Sequence, residues 1–548
     1  MPPVRLAILG AGPAGLLFSL LVRRRYPRWR VDVYEQNLPD ATFGFGVVFS
    51  RGALNFLERD VPDLYRQLLP RMESWPVQRI VHRDELVDID GNGFSAIARL
   101  KLNQFLQELC RDAGVRFEYG RQIASLIEID SSDLIVGADG LNSLVRHSHE
   151  SRFQPQVEWL SNKFAWYGTP KVFDCLTLTF RESEHGAFVA HHYRFSPEMS
   201  TFIVECDAAT WQRAGLDRMS DEDSRVYCEG VFAADLGGHP LVSNKSIWRQ
   251  FPILHNSHWS AGNAVLIGDA LRTMHFSIGS GTRLAFEDAI ALDRAFGEAG
   301  EDVPRALEAF ERERRPVVEK LFAAANRSSY WYEKFPEKMR RFDALGLAYD
   351  YMTRSGRMTD ERLRQTAPKF MAQVEARRRK GAEGGQQKGA QAMTFKLTST
   401  AFSHDGEIPA KYTCEGDDVS PPFAWSGVPA NAKSLALIVD DPDAPDPAAP
   451  QMTWVHWVVY NVSPAVTGLP EASRKLPAGA LDGLNDWGRT GYGGPCPPIG
   501  RHRYFHKLYA LDAVLPDLRK PTKAKLEAAM KGHVIAEARL VGTYRKRK

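Results

Sequence analysis

The chain has 548 residues, 44% apolar, 25% charged and 11% aromatic. That length exceeds one ordinary core and predicts two to four domains, and the composition excludes an intrinsically disordered chain. A formal net charge of +3 leaves no electrostatic footprint for nucleic acid.

The first predicted element is an apolar strand, Val4 to Leu9, closed by a G-x-G-x-x-G turn at Gly10, Gly12 and Gly15, with Ala14 inside it. Leu16 to Arg25 reads as a helix. In such a turn the first glycine allows the tight bend and the second lets backbone approach a pyrophosphate. The third lets the helix pack on the strand, and the helix N-terminus supplies donors to phosphate. The next strand, Arg30 to Glu35, ends in a carboxylate 20 positions past Gly15, placed to accept ribose hydroxyls. A signal peptide is the competing reading of the apolar run from Leu6 to Val22. Three glycines and Pro13 interrupt that run, and Arg23 to Arg25 occupy the place of a cleavage site, so the dinucleotide reading is preferred. No other segment reaches the roughly 20 apolar residues of a membrane span.

Further along, Asp133 to Arg146 is a buried-type strand ending in Asp139-Gly140. Residues 155–258 read as a β-rich substrate domain, with short β-branched and aromatic runs. Within it, alternation puts His192 and Arg194 on one strand face and His191 and Tyr193 on the other. An exposed rim is the preferred reading for these residues. Asn263 to Ala270 is another apolar strand, ending in Gly268-Asp269, followed by Gly279, Ser280 and Gly281 and a helix from Thr282 to Phe296. The implied dinucleotide-binding domain is discontinuous, 1–154 and 259–300. Residues 301–379 form a helical segment completing this part. Residues 380–392, rich in Gly and Gln, read as a flexible linker, and 393–548 as a separate domain. Six cysteines stand far apart with no C-x-x-C pair. They predict free thiols in a reducing cytoplasm and argue against a zinc site or a disulfide framework.

In this order and spacing, the glycine turn, the Asp139-Gly140 motif and the Gly268-Asp269 motif resemble the single-component flavoprotein aromatic hydroxylases over about residues 1–375. The resemblance implies FAD bound at Gly10, Gly12, Ala14, Gly15, Glu35, Asp139, Gly140 and Gly268. It implies Asp269 on the ribityl chain, the turn Gly279 to Gly281 against the isoalloxazine, and Arg99 on the cofactor phosphates. NAD(P)H would visit transiently, since no second fingerprint exists. Dioxygen would be activated as a hydroperoxide at flavin C4a and one oxygen inserted into an electron-rich ring, which the protein positions while excluding water.

The segment Leu271 to Gly281 departs from the usual family pattern. With Gly44 to Ser50 it is similar to the monooxygenase portion of salicyloyl-CoA and 2-aminobenzoyl-CoA hydroxylases, implying a hydroxy- or aminobenzoyl-CoA substrate. The thioester's phosphates would need cations, and the sequence does not rank the available arginines. His275 is the catalytic candidate, because it lies between Asp269 and the glycine turn. A core histidine is the alternative.

Residues 393–548 carry Asp441, Asp443, His456, the Gly/Pro-rich loop containing Gly494 and Pro495, and His502. Protonated imidazole and loop N–H groups could there bind an anion such as phosphate. Together these motifs resemble the phosphatidylethanolamine-binding protein family in its bacterial form, implying an antiparallel β-sandwich that binds a small ligand. No metal site is expected. Two other readings compete: a flavin oxidase or reductase that inserts no oxygen, and a binding or regulatory protein with a vestigial flavin. Assembly into an oligomer is left open.

Overall fold

The computed structural model describes residues 3–41, 44–278, 281–384, 395–447 and 451–546. The chain divides into two compact units, Met1–Lys380 and Gly381–Lys548. Among the described residues no helix is long and apolar enough to cross a membrane.

The first unit is built on a six-stranded sheet. Its order is Ser260–Ala261, Ala264–Leu266, Leu134–Gly137, Arg5–Leu9, Arg30–Glu35, Arg116–Tyr119. All neighbouring pairs are parallel except the first. The core strand reads apolar from Leu6 to Leu9, all four side chains buried, as expected where helices cover both faces. Strand Arg5–Leu9 pairs Arg30–Glu35 on one side and Leu134–Gly137 on the other. The strand order therefore reverses at its C-terminal end, the place where α/β sheets open a crevice.

A second, seven-stranded sheet forms the β-rich region. Its order is Arg249–Asn256, Pro155–Thr169, Ser200–Cys206, Gly186–Arg194, Leu176–Ser183, Gln78–His82, Glu85–Ile89. The last two strands come from the segment assigned by sequence to the FAD-binding domain. They join because Leu176–Ser183 pairs with Gln78–His82 in parallel, a long-range contact that no local pattern signals. The five helices from Val303–Tyr332 to Pro368–Gly384 pack on that end of the sheet. Ile80, Ile89 and Phe180 share one core with Trp331, Leu347 and Phe370. The last helix runs to Gly384, past the expected start of the linker at 380; residues 385–392 of that linker lie outside the described residues.

The second unit is a β-sandwich. A six-stranded sheet includes Ser434–Ala444, Met452–Val462, Arg501–Leu511 and Val534–Arg545, and a three-stranded sheet holds Lys396–Thr398, Phe423–Ser426 and Gly468–Leu469. Leu397, Phe423 and Trp425 of the smaller sheet share a core with Leu437, Trp457 and Leu508 of the larger. One edge pair, Gly406–Glu407 with Val534–Arg545, is parallel.

Here the structure corrects the cysteine reading. Cys414 and Cys496 form a disulfide across a sequence separation of 82, beside a backbone bond from Cys414 N to Pro495 O of 3.1 Å. Spacing along the chain hid the pair, because the fold lays the 410–416 turn against the Gly/Pro loop. Cys110, Cys175, Cys206 and Cys228 are free and buried.

Candidate active site

Three adjacent parallel strands end side by side, and each delivers one motif to their shared edge: Arg5–Leu9 the glycine turn, Leu134–Gly137 the Asp139-Gly140 pair, Ala264–Leu266 the Gly268-Asp269 pair. They open on a cavity of about 1370 Å³, whose wall includes Gly10, Gly12, Glu35, Arg99, Asp139 and Asp269. Gly10 has φ +99°, and a Cβ there would lie 2.4 Å from the Ala138 carbonyl oxygen. At Gly15 a Cβ would lie 2.2 Å from the Gly10 oxygen. Both glycines are thus required by the protein itself. Gly12 differs: a Cβ would meet nothing within 4 Å, and the residue faces the cavity at the start of helix Pro13–Arg25. That open space at a helix N-terminus suits a phosphate-bearing ligand.

The polar groups around it are under-used. Among the described residues Arg99 Nε and Asp139 Oδ1 are buried without a partner, while Asp139 Oδ2 accepts the Leu144 N–H at 2.7 Å. Burial raises the Asp139 carboxyl, with bonds from Ser143 and nearby N–H groups offsetting part. Asp269 opens to the cavity, not to bulk water, and desolvation by the surrounding protein raises its carboxyl too, against Arg99 and Arg272. Glu35 accepts the Ala11 N–H at 2.9 Å and both the backbone and side-chain N–H of Asn37, leaving further lone pairs toward the cavity. Gly140, Ala14, Gly268 and Gly281 also line the cavity, and Gly15 packs behind the turn. Gly279 and Ser280 lie outside the described residues. These donors and acceptors fit a dinucleotide with a polyol arm.

Sequence reasoning missed Asp288. It is fully buried, accepts the Gly268 N–H at 3.1 Å and pairs with Arg272 at 2.8 Å and Arg314 at 3.2 Å. Its signal was a carboxylate on the apolar face of the helix beginning near Thr282, since a buried charge demands partners. Arg146 supplies a second tie, donating to the Ala270 carbonyl at 2.9 Å and also to that of Leu141.

Past the motifs the cavity becomes aromatic. Phe276 lies 5.0 Å from Phe164, 6.2 Å from Trp166 and 5.2 Å from His191, centroid to centroid. The rim reading of the Ala190 to Phe195 strand is corrected here: His191, His192 and Tyr193 are all buried. Alternation holds, with His191 and Tyr193 on the cavity wall. His192 turns into the opposite core, stacks on Phe202 at 5.1 Å and bonds Thr179 Oγ1 at 2.9 Å; burial pushes it down to about 3. Arg194 pairs with Glu73 at 3.0 Å.

His275 is also corrected. It is not among the residues lining the cavity; its ring packs on Phe251, Phe276 and Tyr332, and Nδ1 meets Ser277 Oγ at 2.8 Å. Burial pushes it down to about 4 despite the Glu205 charge, so it is a neutral core histidine. The imidazole that lines the cavity is His191, whose Nε2 lies 3.5 Å from the Glu205 carboxylate. Burial alone would raise Glu205, but hydrogen bonding with His191 and Asn162 holds it below the usual range. Asn162 Nδ2 donates to Glu205 at 2.8 Å.

In the second unit the expected anion donors are engaged internally. His502 uses both ring nitrogens, on Asp441 at 2.7 Å and on the Ile499 carbonyl at 2.9 Å. The Gly494 N–H goes to Asp418 at 2.6 Å, and the Pro495 carbonyl accepts from Cys414. Asp443 binds Arg503 through both carboxylate oxygens. Burial pushes His456 down to about 4 although Nδ1 meets the Gly493 carbonyl at 2.7 Å. A protonated His456 as anion donor is therefore corrected to a neutral one.

Residues 124–325 match the FAD binding domain family. Over 361 residues the chain is 42% identical to a salicyloyl-CoA 5-hydroxylase of Streptomyces sp, covering 64% of this chain and 70% of that protein. The chain belongs to the FAD-dependent aromatic monooxygenases. This monooxygenase takes FAD as cofactor, with NAD(P)H as co-substrate. Its first unit shares its fold with 2-methyl-3-hydroxypyridine-5-carboxylic acid oxygenase (TM-score 0.50, 19% identity, 66% of this chain and 96% of that one). The monooxygenase also carries a phosphatidylethanolamine-binding protein domain, matched over residues 398–545. That part is 52% identical over 156 residues to a UPF0098 protein of Methanothermobacter thermautotrophicus, 28% of this chain and 99% of that protein.

Proposed function

We propose that the monooxygenase hydroxylates the ring of a hydroxy- or aminobenzoyl group presented as its CoA thioester. The observation that carries this reading is one cavity lined by the Gly12 turn, by the aromatic chamber at Phe276 and by arginines at residues 354–362. The relative named salicyloyl-CoA 5-hydroxylase supports the acyl class.

In this reading Gly12 and the helix behind it meet the FAD pyrophosphate, Glu35 the adenosine ribose, Arg99 the phosphates, and Asp139 and Asp269 the polyol arm. Bound flavin would pass the two electrons of NAD(P)H to dioxygen, one atom of which goes to the ring and the other to water. The chain's own residues do the rest. Phe164, Trp166, Phe251 and Phe276 hold the ring and exclude water, which protects the oxygen-transfer step from wasteful hydrolysis. His191, backed by Glu205, accepts the proton of a ring hydroxyl, or a hydrogen bond from a ring amine, making the ring more electron-rich. No ligand is assigned to the phosphatidylethanolamine-binding protein domain.

The test is a panel of aryl-CoA esters and free aromatic acids with NADPH and ¹⁸O-labelled dioxygen. Substrate-dependent NADPH oxidation and one labelled oxygen in an aryl-CoA product are expected. Turnover confined to free acids, or oxidation without label in product, would overturn the reading.

A further inference from the structure

The cavity changes its charge along its length. Among the described residues three carboxylates line it, Glu35, Asp139 and Asp269, and all belong to the nucleotide motifs. A second part of the lining, Ser277 and Tyr351 to Arg362, contributes Arg354, Arg357 and Arg362 and, among the described residues, no acidic residue. Of the two acids in this stretch, neither of which lines the cavity, Asp360 is committed to Tyr349 and Arg378, and Glu361 is exposed.

Arg354 is fixed in place and half-buried. Its Nε donates to Ser328 Oγ at 2.8 Å, one Nη to the Tyr351 carbonyl at 2.6 Å and the other to the Ser277 carbonyl at 3.2 Å. The guanidinium also lies 3.7 Å from the Tyr351 ring centre. Every partner is neutral, so its charge is positioned but not compensated. Arg357 and Arg362 are exposed, and among the described residues neither forms an ion pair. The turn between them and Arg354 is held by Arg327, which donates to the Ser355 carbonyl at 2.9 Å, and by Gly356 N–H to Thr353 O at 2.9 Å. A lone exposed arginine is ordinarily just hydrated. Three on one acid-free cavity wall, one of them locked, form a receptor for several negative charges, and the planar guanidinium fork matches phosphate.

We infer that Arg357 and Arg362, on the wall that Arg354 anchors, dock the nucleotide phosphates of the thioester substrate while its aryl group occupies the chamber at Phe276. The inference rests on the aryl-thioester reading above. A free aromatic acid has one carboxylate beside its ring, whereas a CoA ester carries its phosphates at the far end of a long arm. NADPH offers the same phosphate chemistry, so the experiment must separate the two.

The full FAD-loaded chain is assayed with salicyloyl-CoA, with the phosphate-free N-acetylcysteamine ester of salicylate, and with varied NADPH. In R357Q/R362Q the preference for the CoA ester over the phosphate-free ester falls about tenfold, through KM, equivalent to about 1.4 kcal/mol. The KM for NADPH stays within about twofold, and R357K/R362K recovers part of the preference. Calorimetric binding of 3′,5′-adenosine diphosphate, present with the starting protein, is lost in the double glutamine variant. Unchanged CoA-ester KM and unchanged nucleotide binding overturn the inference and leave the substrate reading standing. A rise in the NADPH KM alone assigns the wall to NADPH and also overturns it. If the starting protein oxidises NADPH with no CoA ester at all, the substrate reading falls and this inference with it.

Discussion

The carboxylate of Asp288 accepts the backbone N–H of Gly268 at 3.1 Å, so a side chain on helix Gly281–Ala299 fixes the turn that presents Asp269 to the cavity. The same carboxylate neutralises Arg272 and Arg314. It therefore links cofactor geometry to the stability of the first unit.

Asp288→Ala leaves two guanidinium groups without this buried counter-charge, though Arg314 keeps Glu287. Breaking such a pair costs about 3 kcal/mol. A lower melting temperature for the first unit and faster FAD release on dilution are expected; unchanged flavin retention would show that the Gly268 anchor does not matter.

Gly12 and Gly15 should separate ligand from fold. Gly12→Ala adds a methyl group to protein-free space in extended backbone. It is expected to leave apoprotein melting nearly unchanged and to weaken FAD binding. Gly15→Ala collides with the Gly10 carbonyl and should cost about 1–3 kcal/mol of stability as an overpacked site. Melting curves of apoprotein and flavin titration distinguish the two.

Acid should weaken both units. Burial holds His275, His456 and His506 at about 4 and His192 at about 3, against about 6.5 unfolded. Above 6.5 these groups are neutral in both states and the stability is fully present. As pH falls from 6.5 toward 4 only the unfolded chain takes up protons, so stability is lost, roughly 3 kcal/mol per histidine at the limit. Denaturant midpoints between pH 7 and 4.5 should fall, and His275→Asn should flatten the fall for the first unit. An equal fall in that variant would count against His275 as a contributor.

Thiol chemistry tests the sandwich. Denatured but unreduced protein should show four reactive thiols, matching the four free cysteines, and two more after reduction of Cys414–Cys496. Closing a loop of this length stabilises by about 4 kcal/mol in the chain-entropy account, so Cys414→Ser should lower the melting of the second unit and spare the first.

The flavin end of the site was legible in sequence because its parts are local. An apolar run followed by Gly10, Gly12 and Gly15 dictates strand, turn and helix, and the same logic marks Asp139 and Asp269 at strand ends. Composition likewise marked a second protein after the Gly/Gln-rich stretch. Tertiary structure alone decided the rest. Period-two alternation showed that His191 and His192 face opposite ways, but not which face would meet the cavity. Nearness to Asp269 along the chain suggested His275, yet the backbone turns that ring into a core and exposes His191 instead. Cys414 meets Cys496, and Gln78–His82 meets Leu176–Ser183, through contacts whose closing entropy is met by distant packing and leaves no trace in local spacing. The arginines could not be ranked until the fold showed which of them share a cavity wall without a carboxylate. Local patterns fix what a segment is; which side chains become neighbours is fixed by how whole elements pack.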